Sequence, residues 1–333
     1  MHFTLNSNCL HIFIVALMSV CLLSCNKTPE QIALEKLNEG KVYYEDGPDQ
    51  DYEKAYQCFI VSAENGNALA QLLVGSMYFH GLGVSQDYEE AFKWSLRSAE
   101  QDNIDAQSYV GALYKDGLGV EQNYIKAVKW LRNAAEKGHA NAQANLGMMY
   151  FEGHGVPQNY AKAISWYKRA ADQGNDFAQC NLGYMYCGGF GVMRNDKKGF
   201  ELIKSAAEQG EIAAQKNLAM LYTFGIGTNK SDKAAFKWTK AAAEQGEPES
   251  QYNLGSLYEE GTGVRRNYAA AAKWYRKAAE QGHVRAQRQL AWICENGLAV
   301  RRDTVEAIKW YQLAAEQGDE TSIEALKQLN VSD

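Results

Sequence analysis

Over most of this chain the residue 36 positions further on is the same or a close relative, and no other feature restricts the fold as strongly. Gln71, Gln107, Gln143, Gln179, Gln215, Gln251 and Gln287 form one column. Gly81, Gly117, Gly153, Gly189, Gly225, Gly261 and Gly297 form a second, and Ala99, Ala135, Ala171, Ala207, Ala243, Ala279 and Ala315 a third. A length of 333 residues would otherwise suggest two globular domains. The composition, 46% hydrophobic and 22% charged, is that of a folded chain.

Each unit reads as two helices. The first spans about Ala70 to His80, with Ala70, Val74, Gly75 and Tyr78 on one face. Gly81-Leu82-Gly83 ends it, because glycine supplies the left-handed conformation common at helix C-termini. The second starts near Tyr88 and carries Ala91, Trp94, Ser98 and Ala99; a later glycine such as Gly138 or Gly174 turns into the next unit. The 4 prolines, Pro29, Pro48, Pro157 and Pro248, fall outside the helix interiors. Gly75 and Ala91 allow a close approach that Tyr78 and Trp94 fill around. Burying one such ring returns about 4–6 kcal/mol gross, far less than the cost of ordering a whole unit. A lone repeat therefore does not fold, and stacking makes the array an all-α, α-α superhelical solenoid of helix-turn-helix repeats. The expected layout is a degenerate copy over 33–67, seven full copies over 68–321 and a capping helix over 322–333. Repeat four departs from the pattern at Met193-Arg194-Asn195-Asp196, Gly199 and Leu202, through drift or as a hinge.

The pattern A-Q-x-N-L-G-x-M-Y-x-x-G-x-G-V, then N-Y-x-x-A-x-x-W-Y-x-x-A-A-E-Q-G, is fullest in Ala142 to Gly174 and Ser250 to Gly282. It resembles the Sel-one-like repeat family, cousins of the tetratricopeptide repeats, over about Ala33 to Asn330. The resemblance implies a right-handed superhelix with a concave surface and a role as an adaptor holding protein or peptide partners. Many bacterial members work in the cell envelope or at the host interface.

Variable columns on the face opposite the fixed ones are the expected binding surface. Positions 69, 72, 76, 79 and 80 share one face of the first helix. Their equivalents supply Phe79, Met148, Phe151, Phe177, Tyr184, Met220, Phe224, Tyr252 and Trp292, with charged members including Lys216, Glu249, Glu259, Glu260, Arg285, Arg288 and Glu295. Aromatic and Met side chains on a solvated face have the composition of a recognition surface; packing into neighbouring repeats is the competing reading. Asn145, Asn181, Asn217 and Asn253 form a further column, expected to tie each helix to a loop or to hold a peptide backbone.

The N-terminus differs. Leu10 to Leu23 is apolar, too short for a typical membrane span but suited to a signal-peptide core. Leu22-Leu23-Ser24-Cys25 resembles a bacterial lipobox, although no Lys or Arg precedes the apolar core. Residues 1–24 are thus expected to be a signal peptide and 25–32 a tether lipidated at Cys25; the alternative is an ordinary signal peptide with an incidental Cys. By the same resemblance, Asn26 points to the outer membrane of the cell envelope, facing the periplasm.

Enzymatic signatures do not stand out from the repeat. The histidines never pair at i, i+4, so no zinc site is expected. No Gly-x-Gly loop continues into a phosphate-binding fingerprint. Cys180 and Cys187 lie too far apart on one helix for a disulfide. No cofactor is implied. The formal net charge of -6, with no extended Lys/Arg stripe, argues against nucleic acid as a partner. The first expectation is a non-enzymatic, membrane-tethered scaffold binding a protein or peptide; the second is a peptidoglycan-related enzyme or enzyme regulator.

Overall fold

The computed structural model describes residues 27–298 and 302–331, so Cys25 and the apolar stretch before it lie outside the described residues. Seventeen helices and no strand occur among the described residues, which gives the all-α repeat solenoid. They fall into two compact units, meeting in sequence at Gln158 and Asn159. The first contains α1 (Pro29–Tyr44), α2 (Tyr52–Glu64), α3 (Ala68–His80), α4 (Tyr88–Glu100), α5 (Ile104–Asp116), α6 (Tyr124–Glu136) and α7 (Ala140–Glu152). The second contains α8 (Tyr160–Ala171), α9 (Asp176–Gly188), α10 (Asp196–Glu208), α11 (Ile212–Phe224), α12 (Asp232–Glu244), α13 (Pro248–Glu260), α14 (Tyr268–Glu280), α15 (Val284–Asn296), α16 (Thr304–Glu316) and α17 (Glu320–Val331). Odd-numbered helices are first helices of a repeat and even-numbered ones second helices.

Local chemistry sets the ends. Most first helices start on a side chain that accepts a backbone N–H three residues on: Asn103 from Ala106 at 3.0 Å, and the Nδ1 of His139 from Ala142 at 3.1 Å. Pro29 and Pro248 each open a helix, where a missing N–H costs nothing. Gly117 closes α5 in the left-handed conformation, φ 70°. The second loop glycine serves packing between repeats: a Cβ on Gly119 would overlap the carbonyl of Tyr88, the first residue of the preceding second helix.

Within a repeat the paired helices meet through small residues. A Cβ on Gly75 would run into Ser95 Oγ and the Ala91 carbonyl. Repeat four keeps this device, for α10 is an unbroken helix and Gly199 is buried against α9. A Cβ there would overlap Cys187 Sγ and come within 2.7 Å of the Gly183 carbonyl oxygen. The departure from Ala at Gly199 therefore has a packing cause.

Between repeats, a first-helix tyrosine packs edge-on against the ring 22 residues earlier. Tyr114 meets Phe92 at 5.1 Å, Tyr222 meets Phe200 at 5.4 Å and Tyr258 meets Phe236 at 5.3 Å. The recurrent Gln is buried beside them. Gln251 Nε2 donates to the Ala243 carbonyl at 3.3 Å, and its Oε1 accepts from Gln281 at 2.8 Å. The same double link holds at Gln71, Gln215 and Gln287. At these four positions a polar side chain inside an apolar stack is thus satisfied by neighbours on both sides.

Candidate functional site

Second helices carry a column of residues aimed at the first-helix layer: Phe59, Ser95, Leu131, Tyr167, Ile203, Thr239, Tyr275 and Tyr311. The large members are all buried. At Thr239 the bulk is missing, and a groove of about 570 Å³ opens between α11 and α13 with α12 behind it. Met220 and Phe224 line it from α11, and Asn253, Ser256, Leu257 and Glu260 from α13. Met220 is 47% and Phe224 70% exposed, so two apolar side chains stand in solvent beside a recess of ligand-pocket size.

Polar groups around the groove are mostly held in place. Thr223 Oγ1 donates to the Ala219 carbonyl at 2.9 Å and Ser256 Oγ to Glu260 at 3.0 Å. Lys216 Nζ reaches Glu247 at 2.9 Å, and Asn217 Nδ2 points at Cys180 Sγ, 3.5 Å away. Asn253 is exposed and makes no hydrogen bond among the described residues. Its amide offers a donor and an acceptor to a peptide backbone, next to an apolar recess that fits a side chain.

The structure distributes the other anticipated residues as follows. Tyr184 is 45% and Trp292 37% exposed; Tyr184 stacks on Phe190 at 5.4 Å. Met148, Phe151 and Phe177 are half-buried. Phe79 packs edge-on against Tyr88 at 5.1 Å and Tyr109 at 5.7 Å. Tyr252 stacks on His283 at 4.9 Å, with the Arg285 guanidinium 4.7 Å from its ring centre. Arg288 is bonded to Asp319 at 2.7 Å. Of the ten, only Met220 and Phe224 share the groove.

Charged members of the variable columns are held by partners both within and between repeats. Glu249 accepts from His283 at 2.9 Å and from Arg285 at 2.6 Å. Burial pushes the Glu249 carboxyl up, but those two partners outweigh it and hold it below the usual range. Glu259 and Glu295 accept the hydroxyls of Tyr275 and Tyr311 at 2.6 and 2.9 Å; burial first, then these bonds, raises both phenols. The asparagine column does not tie helices to loops. Asn145 and Asn181 donate to carbonyls of their own helices, at Asn141 and Phe177.

Sequence reasoning missed Thr239 and passed over Asn253 as one rung of the asparagine column. The signal was a small residue in a column otherwise filled by Phe, Leu, Ile or Tyr, and Ser95 is its counterpart in the other unit. No group of three or more His, Cys, Asp or Glu side chains fit to hold a metal occurs among the described residues. Burial pushes the Cys180 thiol up to about 12 and that of Cys294 to about 11, far from a nucleophile's range.

Comparison with known proteins places this geometry. The Sel1 repeat profile matches residues 40–67, 68–103, 104–139, 140–175, 176–211, 212–247, 248–283 and 284–319. Among solved structures, the chain is 35% identical to c5321, a protective antigen of uropathogenic Escherichia coli strains with an SLR fold. That likeness covers 92% of this chain and 68% of that one, with a TM-score of 0.66. A Sel1 repeat protein from Oxalobacter formigenes is 33% identical, over 89% of this chain and 87% of that one, with a TM-score of 0.68. No curated protein matches the sequence.

Proposed function

Because the chain belongs to the Sel1-repeat family, we propose that it is a non-enzymatic adaptor that grips a protein or peptide segment in the groove between α11 and α13. Sel1-repeat proteins are in general protein-interaction scaffolds. The observation that carries the reading here is the recess beneath Met220 and Phe224, opened by Thr239. Exposed apolar side chains at a recess rim are the usual anchors of a binding hot spot. The unbonded Asn253 amide beside them can hold a backbone. Phe177, Tyr184, Tyr252, Arg288 and Trp292 then extend or shape the first-helix face of the same unit, while Phe79, Met148 and Phe151 belong to the first-helix face of residues 27–158.

The same proposal puts the chain at a bacterial cell envelope, tethered through Cys25 at the outer membrane. Its support is the apolar run Leu10 to Leu23 closing on Leu22-Leu23-Ser24-Cys25. A membrane pull-down with crosslinking tests both parts. After a wash in about 0.5 M salt, which screens surface charge contacts, Cys25→Ser should leave the membrane fraction, and Met220→Ala/Phe224→Ala should lose a discrete partner while its circular dichroism stays unchanged. Retention of the anchor variant contradicts the tether; an unaltered partner set in the groove variant contradicts the grip.

A further inference from the structure

The loop joining first to second helix changes character along the chain. In residues 27–158 its penultimate position is Gln86, Gln122 and Gln158, and each amide folds back onto a helix carbonyl seven residues earlier, at 2.7, 2.8 and 2.8 Å. In residues 159–331 the same position is Arg194, Lys230, Arg266 and Arg302, joined by Arg265 one residue before. The side chains of Arg194 and Lys230 are 64% and 65% exposed. Arg194 and Lys230 lean on Asp196 and Asp232; Arg265 and Arg266 make no ion pair among the described residues. The repeat therefore sets one cation or more at every successive loop of this unit, in a chain whose net charge is -6.

Two apolar features accompany the cations. Met193, 87% exposed, stands immediately before Arg194, and Val305, 81% exposed, lies in the first turn of α16 three residues after Arg302. Beside the Arg265 loop, the outer side of α12 holds an open hollow of about 690 Å³. Lys233, Lys237 and Lys240 stand around it, with Phe236, Gly263 and one acid, Glu244, which pairs with Lys240 at 3.6 Å and leaves a surplus of two cations. Cations interleaved with exposed apolar side chains suit an interface of phosphates above acyl chains better than a purely polar polyanion.

We propose that this loop edge of residues 159–331, with the lysine-ringed hollow on α12, is a docking surface for an anionic lipid bilayer. Guanidinium and ammonium groups take the phosphates, and Met193 and Val305 enter the headgroup boundary. The inference rests neither on the peptide groove nor on Cys25.

Amine-reactive footprinting of the full chain tests it on vesicles of phosphatidylcholine alone and of phosphatidylcholine with about one quarter phosphatidylglycerol. Lys233, Lys237 and Lys240 should be labelled several-fold less on the anionic vesicles, while Lys93 and Lys126 are unchanged. About 0.5 M salt should abolish the protection, and Arg265→Gln/Arg266→Gln should reduce it severalfold. Equal labelling on both vesicle types overturns the proposal. Protection by soluble polyphosphate but not by anionic vesicles reassigns the edge to a linear polyanion and overturns it as well. Protection that rises with protein concentration on neutral vesicles assigns the edge to a second copy, and that too overturns the proposal.

Discussion

Gln281 Nε2 donates to Gln251 Oε1 at 2.8 Å across 30 residues, joining the C-terminal end of a second helix to the first helix of its own repeat. Gln251 is 4% exposed and also donates to the Ala243 carbonyl. Replacing it with Ala strands a buried carbonyl and removes a rung, so a loss of about 1–3 kcal/mol is expected in urea unfolding. A change below about 0.5 kcal/mol would show that the ladder is not a stabilising element.

One rung is missing. Lys137 occupies the donor position and pairs instead with Asp102 at 2.9 Å, and Gln107 Oε1 is left buried without a hydrogen-bond partner. Lys137→Gln should restore the donor and raise stability by about 0.5–1.5 kcal/mol. The exposed ion pair it removes contributes little. A lower melting temperature for this variant contradicts the account.

Gly199→Ala sets two effects against each other. Helix propensity favours Ala by about 1 kcal/mol. The added Cβ meets Cys187 Sγ and the Gly183 backbone oxygen, and crowding of backbone typically costs about 1–3 kcal/mol. The backbone contact decides the sign, so the variant should be less stable than wild type in thermal unfolding. A more stable variant would return Gly199 to simple drift.

The repeat period, helix pairing, glycine ends and aromatic fillers were all legible in the sequence, because each is a column and a column needs no coordinates to be seen. The site was legible only in part. Met220 and Phe224 were recoverable from exposure logic, but Tyr252 and Arg288 sit in the same columns and are occupied by His283, Arg285 and Asp319. Such use depends on what the neighbouring repeat offers at that register, which periodicity does not reveal. The basic edge escaped for the opposite reason. Its members stand 36 residues apart, so no contiguous Lys/Arg stripe announces it, and only stacking brings them into one row.

Acid should loosen the C-terminal repeats through Glu306. The Arg276 guanidinium, 2.6 Å away, holds its carboxyl below the ordinary value of 4.5, and burial opposes this without prevailing. A carboxyl lowered in the folded state contributes stability that is present above the unfolded value and lost as pH falls through the folded one. Glu306→Gln should therefore be less stable than wild type at neutral pH and lose less between about pH 6 and pH 3. Parallel melting profiles for the two chains would contradict the assignment.

The central claim is that the groove beneath Met220 and Phe224 holds a partner segment, and site-directed photocrosslinking in cells tests it most directly. A photoreactive residue at Asn253 should give a discrete adduct, and the same probe at Lys129, on a second helix of the other unit, should not. Thr239→Leu, which restores bulk to the recess, should abolish the adduct without unfolding the chain. No adduct from position 253, or one that survives Thr239→Leu unchanged, would contradict the account.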